Sequence, residues 1–551
     1  MSAQSIGLKI LTLAILAVAI LMLPQRGAAW TADDDYLRDR EALEDLQRRA
    51  FNYMWEDGDP DSGLAYEADF GWEVRPSAIG GTGFGVAALV VATDRGWISR
   101  DQAVGRLLKI ARLLRQIEAD HPQWHGGFPH WLNSRTGEVF NFGDGDDIID
   151  TVETALLMQG LLIARAYFNG PGSEAELREI ITGLWQAVDW PFFCNSPKEQ
   201  HGLFWHWSPQ RGHLGLRIRG YNEALIAYVL AAGSPTHPIS PKIGRYWRSG
   251  PDYQARPVYG YRLEAAPKDG GPLFLAHYSF IGLDPRLVAD SQVPGGFFRR
   301  NLIQTLSNRG YCLQSAPEAN QYSPKFWGLT AGQIKEGYVA ASPGHDPGTV
   351  APTGALSSLP YTPHYSMEVL HNLRQMMNGR AWGRFGPYDA VSLRDDWVSP
   401  HCLAIDQLPM VSMIENYRTG LLWRLLMSDP EVRAGLERME FHRPKLDEGF
   451  PEAVVTLVKD RRAYVPDAYD LRRHPDTGQY EVPFWCRVAG PATLTIADPD
   501  GGPPLLERTV QAAEGRNFLA FAPFRRNDGL ILTLTLQAPG GRKYHLPLRT
   551  H

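Results

Sequence analysis

The chain has 551 residues, which is enough for two or three domains with a sizeable core. Its formal net charge of −6, with 21% charged residues, argues against a nucleic-acid partner. The four cysteines are scattered without paired spacing, which excludes a disulfide scaffold and argues against a zinc ribbon. They are Cys194, Cys312, Cys402 and Cys486.

The first thirty residues resemble a targeting segment. Lys9 precedes an apolar run from Ile10 to Leu23, which is shorter than the roughly 20 residues that span a bilayer. Gly27-Ala-Ala29 suits a signal peptidase. We therefore expect a signal peptide over 1–29, a periplasmic or secreted protein and no stable membrane insertion after cleavage. An uncleaved N-terminal anchor is the alternative.

Helical patterns dominate from Asp33 to about Arg443, separated by long loops rich in glycine and aromatic residues. Several of these helices are apolar nearly all round, as the inner helices of a double ring would be. The pattern predicts a mainly α domain over 30–443, an (α/α)6 barrel without intervening strands. The helix candidates lie near 36–55, 79–94, 100–118, 148–168, 173–190, 220–232, 239–248, 271–282, 297–313, 362–379, 402–427 and 430–440.

The character changes after Pro444, where short β-rich runs alternate with turn signals. These runs predict a small β-sandwich domain over 444–551 with an accessory role. The runs are Val454–Val458, Tyr480–Trp485, Ala492–Ala497 and Leu530–Leu536.

Two carboxyl groups stand at the mouth of an apolar helix. A loop rich in glycine and aspartate runs into it, with Asp147 as the expected N-cap. Asp150 and Glu153 are three residues apart and project from one side of the first turns. Burying such groups is costly, so they indicate either helix capping or a functional site.

Further acids occur at two other predicted helix starts, among Trp, His and Tyr residues. Glu223 follows Arg219, Tyr221 and Asn222, and Asp406 interrupts an apolar stretch. A carboxyl group at such a place can also be a simple cap. Acid pairs beside aromatic surfaces are what glycosidic hydrolysis requires, since one acid protonates the leaving oxygen while the other activates water or attacks.

Aromatic and polar residues near these acids are the candidates for holding sugar rings and hydroxyl groups. We assign to substrate binding Trp205, Trp207, Arg219, Tyr221, Asn222, His277, Tyr278, Trp327, Tyr365, Asp389 and Glu415. A metal site is weakly indicated by His121, His125 and His130, and calcium by Asp144, Asp146 and Asp147. We expect neither, and no cofactor.

Four segments carry a resemblance to a known family: Gly80–Gly85, Asp146–Ala155, Gly270–Arg286 and Ile405–Arg418. From about Leu46 to Glu440 the chain resembles the glucoamylase-like domain of glycoside hydrolase family 144 and its clan. The resemblance implies an (α/α)6 barrel and hydrolysis of β-1,2-glucan, usually endo-acting and inverting. The family's Asp-Gln-Gly segment is Asp406-Gln-Leu408 in this chain.

The resemblance also implies roles for individual acids. Glu223 matches the proposed general acid and Asp406 a proposed base, while Asp150 and Glu153 match acids needed for activity. The expected partner is β-1,2-glucan or its oligosaccharides, bound by a monomer. Two alternatives stay open: an exo-acting or retaining, transglycosylating enzyme with Glu153 as nucleophile, and a non-catalytic glycan-binding protein.

Overall fold

The computed structural model describes most of the helical region and seven strands after it. The described residues are 32–140, 149–194, 202–259, 261–444, 472–473, 480–486, 489–496, 504, 506–513, 515–521, 531–537 and 543–549. The predicted signal peptide, 1–29, lies outside them. Two compact units are distinguished, Met1–Ala42 and Leu43–His551. The description below concerns the second unit, apart from the beginning of helix α1.

Helices form the greater part of the described chain up to residue 444. They are α1 (Ala32–Glu56), α2 (Ile79–Asp94), α3 (Arg100–Asp120), α4 (Thr151–Tyr167), α5 (Ser173–Ala187), α6 (Leu225–Gly233), α7 (Pro241–Trp247), α8 (Gly296–Gln314), α9 (Pro352–Leu356), α10 (Pro363–Leu373), α11 (Ala404–Arg418), α12 (Leu421–Ser428) and α13 (Pro430–Arg438). None of them is both long and apolar enough to cross a bilayer. The fold is therefore mainly α, as the sequence predicts.

Helices α2, α4, α6 and α11 are among those that are buried over most of their length. Helix α2 packs against α4 and α11, and α6 packs against α4 and α13. The neighbouring helices α3 and α5 are amphipathic and bury one face only. This arrangement follows from the sequence, because a helix that is apolar all round must be covered on every side.

Short strands interrupt the helical region, so the expectation of helices without intervening strands is wrong. They are β1 (Pro76–Ala78), β2 (Phe128–Pro129), β3 (Trp131–Asn133), β4 (Ile149–Asp150), β5 (Phe204–Ser208), β6 (Gly212–Arg217), β7 (Arg256–Val258), β8 (Tyr261–Leu263), β9 (Ala331–Ile334), β10 (Gly337–Ala340), β11 (Trp382–Gly383), β12 (Gly386–Pro387), β13 (Val391–Ser392) and β14 (Trp397–Val398). Strands β2, β4, β5 and β6 form one antiparallel sheet in the order β2-β4-β5-β6.

Several predicted helices differ from the observed ones. The segment 271–282 forms two short 3-10 helices, Leu273–Ala276 and Ser279–Ile281. The predicted helix over 402–427 is two helices, α11 and α12, separated at Gly420, whose φ of 69° ends the first. Helix α6 begins at Leu225 and not at 220.

The glycine-rich segment Gly80–Gly85 lies inside helix α2. Its glycines allow α2 and α4 to approach closely. A Cβ atom on Gly83 would lie 2.4 Å from the carbonyl oxygen of Leu156, and one on Gly160 would lie 2.0 Å from that of Gly83. Both obstacles are backbone atoms, so a side chain at either position would force the two helices apart.

After residue 444 the described elements are strands: β15 (Arg472–Arg473), β16 (Tyr480–Cys486), β17 (Gly490–Ile496), β18 (Leu506–Ala512), β19 (Gly515–Phe521), β20 (Ile531–Gln537) and β21 (Lys543–Arg549). They form two antiparallel sheets, β15-β16-β19 and β18-β17-β20-β21. Three of the four predicted β-rich runs thus coincide with strands, and the fourth, Val454–Val458, lies outside the described residues.

Replacing Gly160 by alanine tests the α2–α4 contact. We expect Gly160→Ala to lower the free energy of unfolding by about 3 kcal/mol, because overpacking against backbone displaces a buried helix. Denaturant unfolding followed by circular dichroism measures this. Gly183→Ala in α5 is the matched control, since nothing lies within 4 Å of its added Cβ; we expect it to stabilise by roughly 0.5–1 kcal/mol. Equal stability of the two variants would contradict the close contact.

Candidate active site

Asp150 joins the sheet to helix α4. It is the last residue of β4 and the N-cap of α4, where its Oδ1 accepts hydrogen bonds from the backbone N–H groups of Val152 and Glu153, at 2.9 and 3.0 Å. The capping interpretation is therefore correct for Asp150, whereas Asp147, the N-cap expected from the sequence, lies outside the described residues. The side chain is only 1% exposed, so its second oxygen also needs partners.

Two histidines supply those partners. The Oδ2 atom of Asp150 lies 2.9 Å from Nδ1 of His130 and 3.4 Å from Nε2 of His206. Burial alone would raise the pKa of Asp150, but the hydrogen bonds from both histidines outweigh it and hold the pKa well below its usual range. Burial also opposes the charge on His130, yet Glu153 and Asp150 raise its pKa to about 9. Asp150 and His130 thus form a partly buried ion pair at neutral pH.

Glu153 lies in the first turn of α4 and is 7% exposed. Its Oε2 accepts a hydrogen bond of 2.6 Å from the backbone N–H of Gly80, and its Oε1 is 4.0 Å from Nε2 of His130. Burial, together with the charges of Asp150 and Glu67, raises the pKa of Glu153 to about 7 in spite of His130. Glu153 is therefore held rigidly and close to half protonated at neutral pH.

Glu223 lies in the turn that precedes α6, where its backbone carbonyl accepts a hydrogen bond from the Ser279 hydroxyl. The side-chain oxygen of Asn222 accepts from the N–H of Ala224 and fixes this turn. Burial first, and then the negative charges of Asp150 and Glu153, raise the pKa of Glu223 to about 7. Since those charges act on it, the three carboxyl groups belong to one site.

Asp406 and Asp389 form a second carboxyl group cluster. Asp406 lies in the first turn of α11 and is 2% exposed; the hydroxyl groups of Tyr278 and Tyr338 lie 3.5 and 3.4 Å from its two oxygens. The Oδ2 of Asp389 accepts a 2.6 Å hydrogen bond from the N–H of Gln333. Gln333 and Tyr338 stand opposite each other in the β9–β10 hairpin, so one cross-strand pair contacts both acids.

These two acids share a proton. Burial and the neighbouring charge of Asp389 raise the pKa of Asp406 well above its ordinary value, and burial raises that of Asp389 to about 6. The Oδ1 of Asp389 is buried and has no conventional donor, but a protonated Asp406 supplies one. Without a donor, a buried oxygen would destabilise the folded state by its full desolvation free energy. At neutral pH the pair holds one proton and one negative charge.

Glu67 links the two clusters, and sequence reasoning missed it. Its charge raises the pKa of both Asp406 and Glu153, so it acts electrostatically on both clusters. One of its oxygens is buried without a hydrogen-bond partner, and burial raises its own pKa. Its segment has no periodicity that marks it, because its place is set by a tertiary contact: the Ala404 N–H donates to the Glu67 carbonyl at 2.9 Å.

Sequence reasoning also assigned no catalytic-site role to His130, His206 or Tyr338. His206 had a signal that could have found it, since it stands between Trp205 and Trp207, both of which were assigned to substrate binding. His130 was considered only as a metal ligand. Tyr338 lies in a hairpin that the sequence pattern did not predict, and its contact with Asp406 joins positions far apart in the chain.

Some predicted substrate-binding residues do surround the carboxyl clusters. Tyr278 contacts Asp406, and Asp389 is its partner. Trp205 is half-buried on β5 beside His206, while Trp207 is 9% exposed and packs edge-on against Phe192 at 5.2 Å. The exposed Arg219 and half-buried Asn222 occupy the turn of Glu223.

The other five are buried in packed surroundings, where identifiable contacts account for most of their polar atoms. The Tyr221 hydroxyl donates to the Leu275 carbonyl and to Asn301, His277 bonds to Ser358, Arg309 lies over the Tyr365 ring, Glu415 pairs with Arg95, and Trp327 is fully buried. Burial lowers the pKa of His277 to about 3, so this ring is neutral. Their geometry is that of core residues.

The three histidines considered for a metal have separate partners. The ring of His121 stacks on Trp124 and that of His125 on Phe192, whereas His130 is bonded to Asp150. Across the described residues, no group of three or more His, Cys, Asp or Glu side chains has the arrangement of a metal site. The calcium candidates Asp144, Asp146 and Asp147 lie outside the described residues.

Comparison with known proteins gives consistent matches. The family model described as "Putative glucoamylase" matches residues 215–430, a range that contains Glu223, Asp389 and Asp406. The exo β-1,2-glucooligosaccharide sophorohydrolase (non-reducing end) of Parabacteroides distasonis is 37% identical over 428 residues, which cover 73% of this chain and 58% of that protein. The chain thus spans little more than half of this curated relative.

Two solved structures are covered almost completely. A protein of Bacteroides uniformis with the same two-word description is 41% identical with a TM-score of 0.70, covering 74% of this chain and 98% of that one. The endo-β-1,2-glucanase of Chitinophaga pinensis, in complex with sophorotriose and glucose, is 40% identical with a TM-score of 0.68, covering 74% and 99%. On this evidence, the chain belongs to the glucoamylase-like family of glycoside hydrolases.

Proposed function

We propose that this protein hydrolyses β-1,2-glucosidic linkages within β-1,2-glucan and its oligosaccharides. The observation that carries the proposal is the division of protons among its buried acids. Glu223 can hold a proton near neutral pH, and the Asp389–Asp406 pair holds a negative charge that can accept one. Hydrolysis of a glycoside needs both functions at one site.

The β-1,2 linkage is supported by the relatives, since the sophorohydrolase and the Chitinophaga pinensis enzyme both act on β-1,2-linked glucans by name. They differ in mode, one being exo and the other endo. We propose endo action, since the chain covers 99% of the endo enzyme at 40% identity.

Glu223 is the proposed general acid. Burial and two neighbouring anions raise its pKa to about 7, so that the protonated form that a general acid needs is present near neutral pH. The Asp389–Asp406 pair is the proposed base, with Asp406 as the member that faces the two tyrosine hydroxyl groups. Asp406 passes its proton to the ionised Asp389 as it takes one from water, or from a substrate hydroxyl that relays one, as inversion requires.

Asp150 and Glu153 are proposed to position the substrate or the water. The alternative, a retaining enzyme with Glu153 as nucleophile, is less well supported by the geometry. A nucleophile must be ionised, whereas burial and Asp150 raise the pKa of Glu153 to about 7, and its Oε2 is already bonded to Gly80. A non-catalytic role would leave the cost of burying four carboxyl groups uncompensated.

The finer architecture is part of the proposal. Buried inner helices beside amphipathic outer ones support an (α/α)6 barrel over 30–443, and the two sheets support a β-sandwich over 444–551.

We also propose export as a monomer to the periplasm or medium, with cleavage near Ala29, supported by the apolar run up to Leu23. The intact mass of the mature chain would test the cleavage, and analytical ultracentrifugation would test whether the protein is a monomer.

Product analysis tests the proposed activity. We expect purified protein without added cofactor to release short β-1,2-gluco-oligosaccharides of many lengths from linear β-1,2-glucan, with the α anomer formed first. Chromatography and proton NMR over the first minutes measure both. Activity on cellulose or starch with none on β-1,2-glucan would reject the substrate, and an initial β anomer would return the nucleophile role to Glu153.

Glu223→Gln tests the general acid. We expect the rate on β-1,2-glucan to fall by roughly 10²- to 10⁴-fold, because glutamine cannot donate the proton. The loss should be smaller on an aryl β-glycoside, whose leaving group needs no protonation, and this comparison is the control for misfolding. A variant that retains near-wild-type turnover would exclude Glu223 from the role.

The pH dependence tests the division of protons. The base must be ionised, so kcat/KM should fall as the pH drops below about 6, the pKa of Asp389. The acid must be protonated, so kcat/KM should fall as the pH rises above about 7, the pKa of Glu223. Initial rates between pH 4 and 9, in steps of about half a unit, should give a bell with its maximum between these values. In Glu223→Gln the alkaline fall should disappear; if it persists unchanged, another group is the acid.

A further inference from the structure

An exposed tryptophan stands on the loop that leaves the carboxyl clusters. Among the described side chains, the exposed large hydrophobic residues are Trp72 (47%), Val74 (42%), Leu216 (59%) and Tyr338 (49%). Two of them share one loop, and Tyr338 touches Asp406. Exposed apolar surface gathered beside a polar site is typical of a ligand groove, whereas scattered single residues need no explanation.

The ring of Trp72 has a rigid base. It stacks on Phe70 with ring centroids 4.4 Å apart and planes 22° from parallel, and Phe70 packs edge-on against His401 at 5.0 Å. His401 Nδ1 lies 3.2 Å from Oδ1 of Asp69, which also accepts a 2.9 Å hydrogen bond from the N–H of Cys402. The indole is thus presented with its orientation set, which reduces the entropy lost on binding a flat ligand.

The same loop begins in the active site. Glu67, whose charge acts on Asp406 and Glu153, is five residues before Trp72. Ala68 forms a β-bridge with Leu403, directly before α11. Five extended residues span at most roughly 17 Å, the length of a few sugar rings. Trp72 is therefore tethered within the length of a short oligosaccharide of Glu67.

His401 connects this loop to the other side of the site. Its backbone carbonyl accepts a 3.0 Å hydrogen bond from the N–H of Asp389, the partner of Asp406. Tyr338 is half-exposed, and its hydroxyl group lies 3.4 Å from Oδ2 of Asp406. Aromatic surface is thus available next to the catalytic pair and again at Trp72, with packed residues between.

We propose that Trp72, supported by Phe70 and His401, forms a sugar-binding subsite that holds a glucosyl unit of the β-1,2-glucan chain away from the scissile bond. The indole face stacks on the C–H face of the ring. This subsite rests on the proposed function, and it makes the enzyme favour long chains over short ones.

Replacing Trp72 and measuring chain-length preference tests the subsite. The quantity is the ratio of kcat/KM on long β-1,2-glucan to kcat/KM on the β-1,2-linked trisaccharide. We expect Trp72→Ala to lower this ratio by roughly 3- to 10-fold, the size of one lost stacking contact. Trp72→Phe should restore most of it, because a flat ring is retained. Val74→Ala is the matched control in the same loop and should keep the wild-type ratio.

Three outcomes would overturn the subsite. They are an unchanged ratio in Trp72→Ala, an equal loss on both substrates, which indicates a structural role, and the same loss in Val74→Ala. Failure of the proposed function looks different, because wild-type protein would then cleave no β-1,2-glucan of any length. In that case calorimetric titration with β-1,2-gluco-oligosaccharides decides: binding that weakens in Trp72→Ala supports the subsite, and equal or absent binding rejects it.

Discussion

The absence of side chains on one face of helix α2 is the constraint on which the site depends. Gly83 and Gly160 let α2 and α4 meet backbone to backbone. The same closeness brings the N–H of Gly80 to 2.6 Å from Glu153, at a position where a Cβ atom would meet the carboxyl group. The glycines therefore do more than save space: they expose a peptide N–H as a ligand for a buried acid.

Around this contact the protein separates the protonation states of acids that would otherwise titrate together. Asp150 accepts hydrogen bonds from two histidines and stays ionised. Its negative charge helps to raise the pKa values of Glu153 and Glu223, which therefore hold protons up to about neutral pH. Asp406 and Asp389 share one proton, which avoids the repulsion between two buried carboxylates. Environment, and not residue type, decides which carboxyl group gives a proton and which accepts one.

Much of the helical framework could be predicted from sequence, because long apolar periodicity leaves few alternatives. Helix α2, expected over 79–94, has those bounds. Short strands could not be predicted, because their pairing depends on partners that are distant in the sequence. Strand β4, for example, has only two residues, Ile149–Asp150, and is a strand because β2 and β5 flank it. The segment 271–282 is apolar enough for a helix, yet tertiary packing breaks it into two 3-10 turns.

The candidate site follows the same division. Asp150, Glu153, Glu223 and Asp406 could be found because each stands out as an acid at the start of an apolar segment. Glu67 could not, since its neighbours Tyr66 and Ala68 give it no helical or strand context. Tyr221, Tyr365 and Trp327, which were predicted to bind substrate, are buried, and buried aromatic residues are more often core residues than sugar-binding surfaces.

The hairpin β9–β10 carries a consequence for the variation that this family member tolerates. Gln333 and Tyr338 face each other across the two-residue turn Lys335-Glu336, and one contacts Asp389 while the other contacts Asp406. Strand pairing has a period of two, so adding or removing one residue in this turn would change the register and turn alternate side chains to the opposite face. Both carboxyl groups would then lose their hairpin partners in a single event. The exposed turn can therefore vary in residue type, but the number of its residues is constrained by the contacts that the hairpin makes with Asp389 and Asp406.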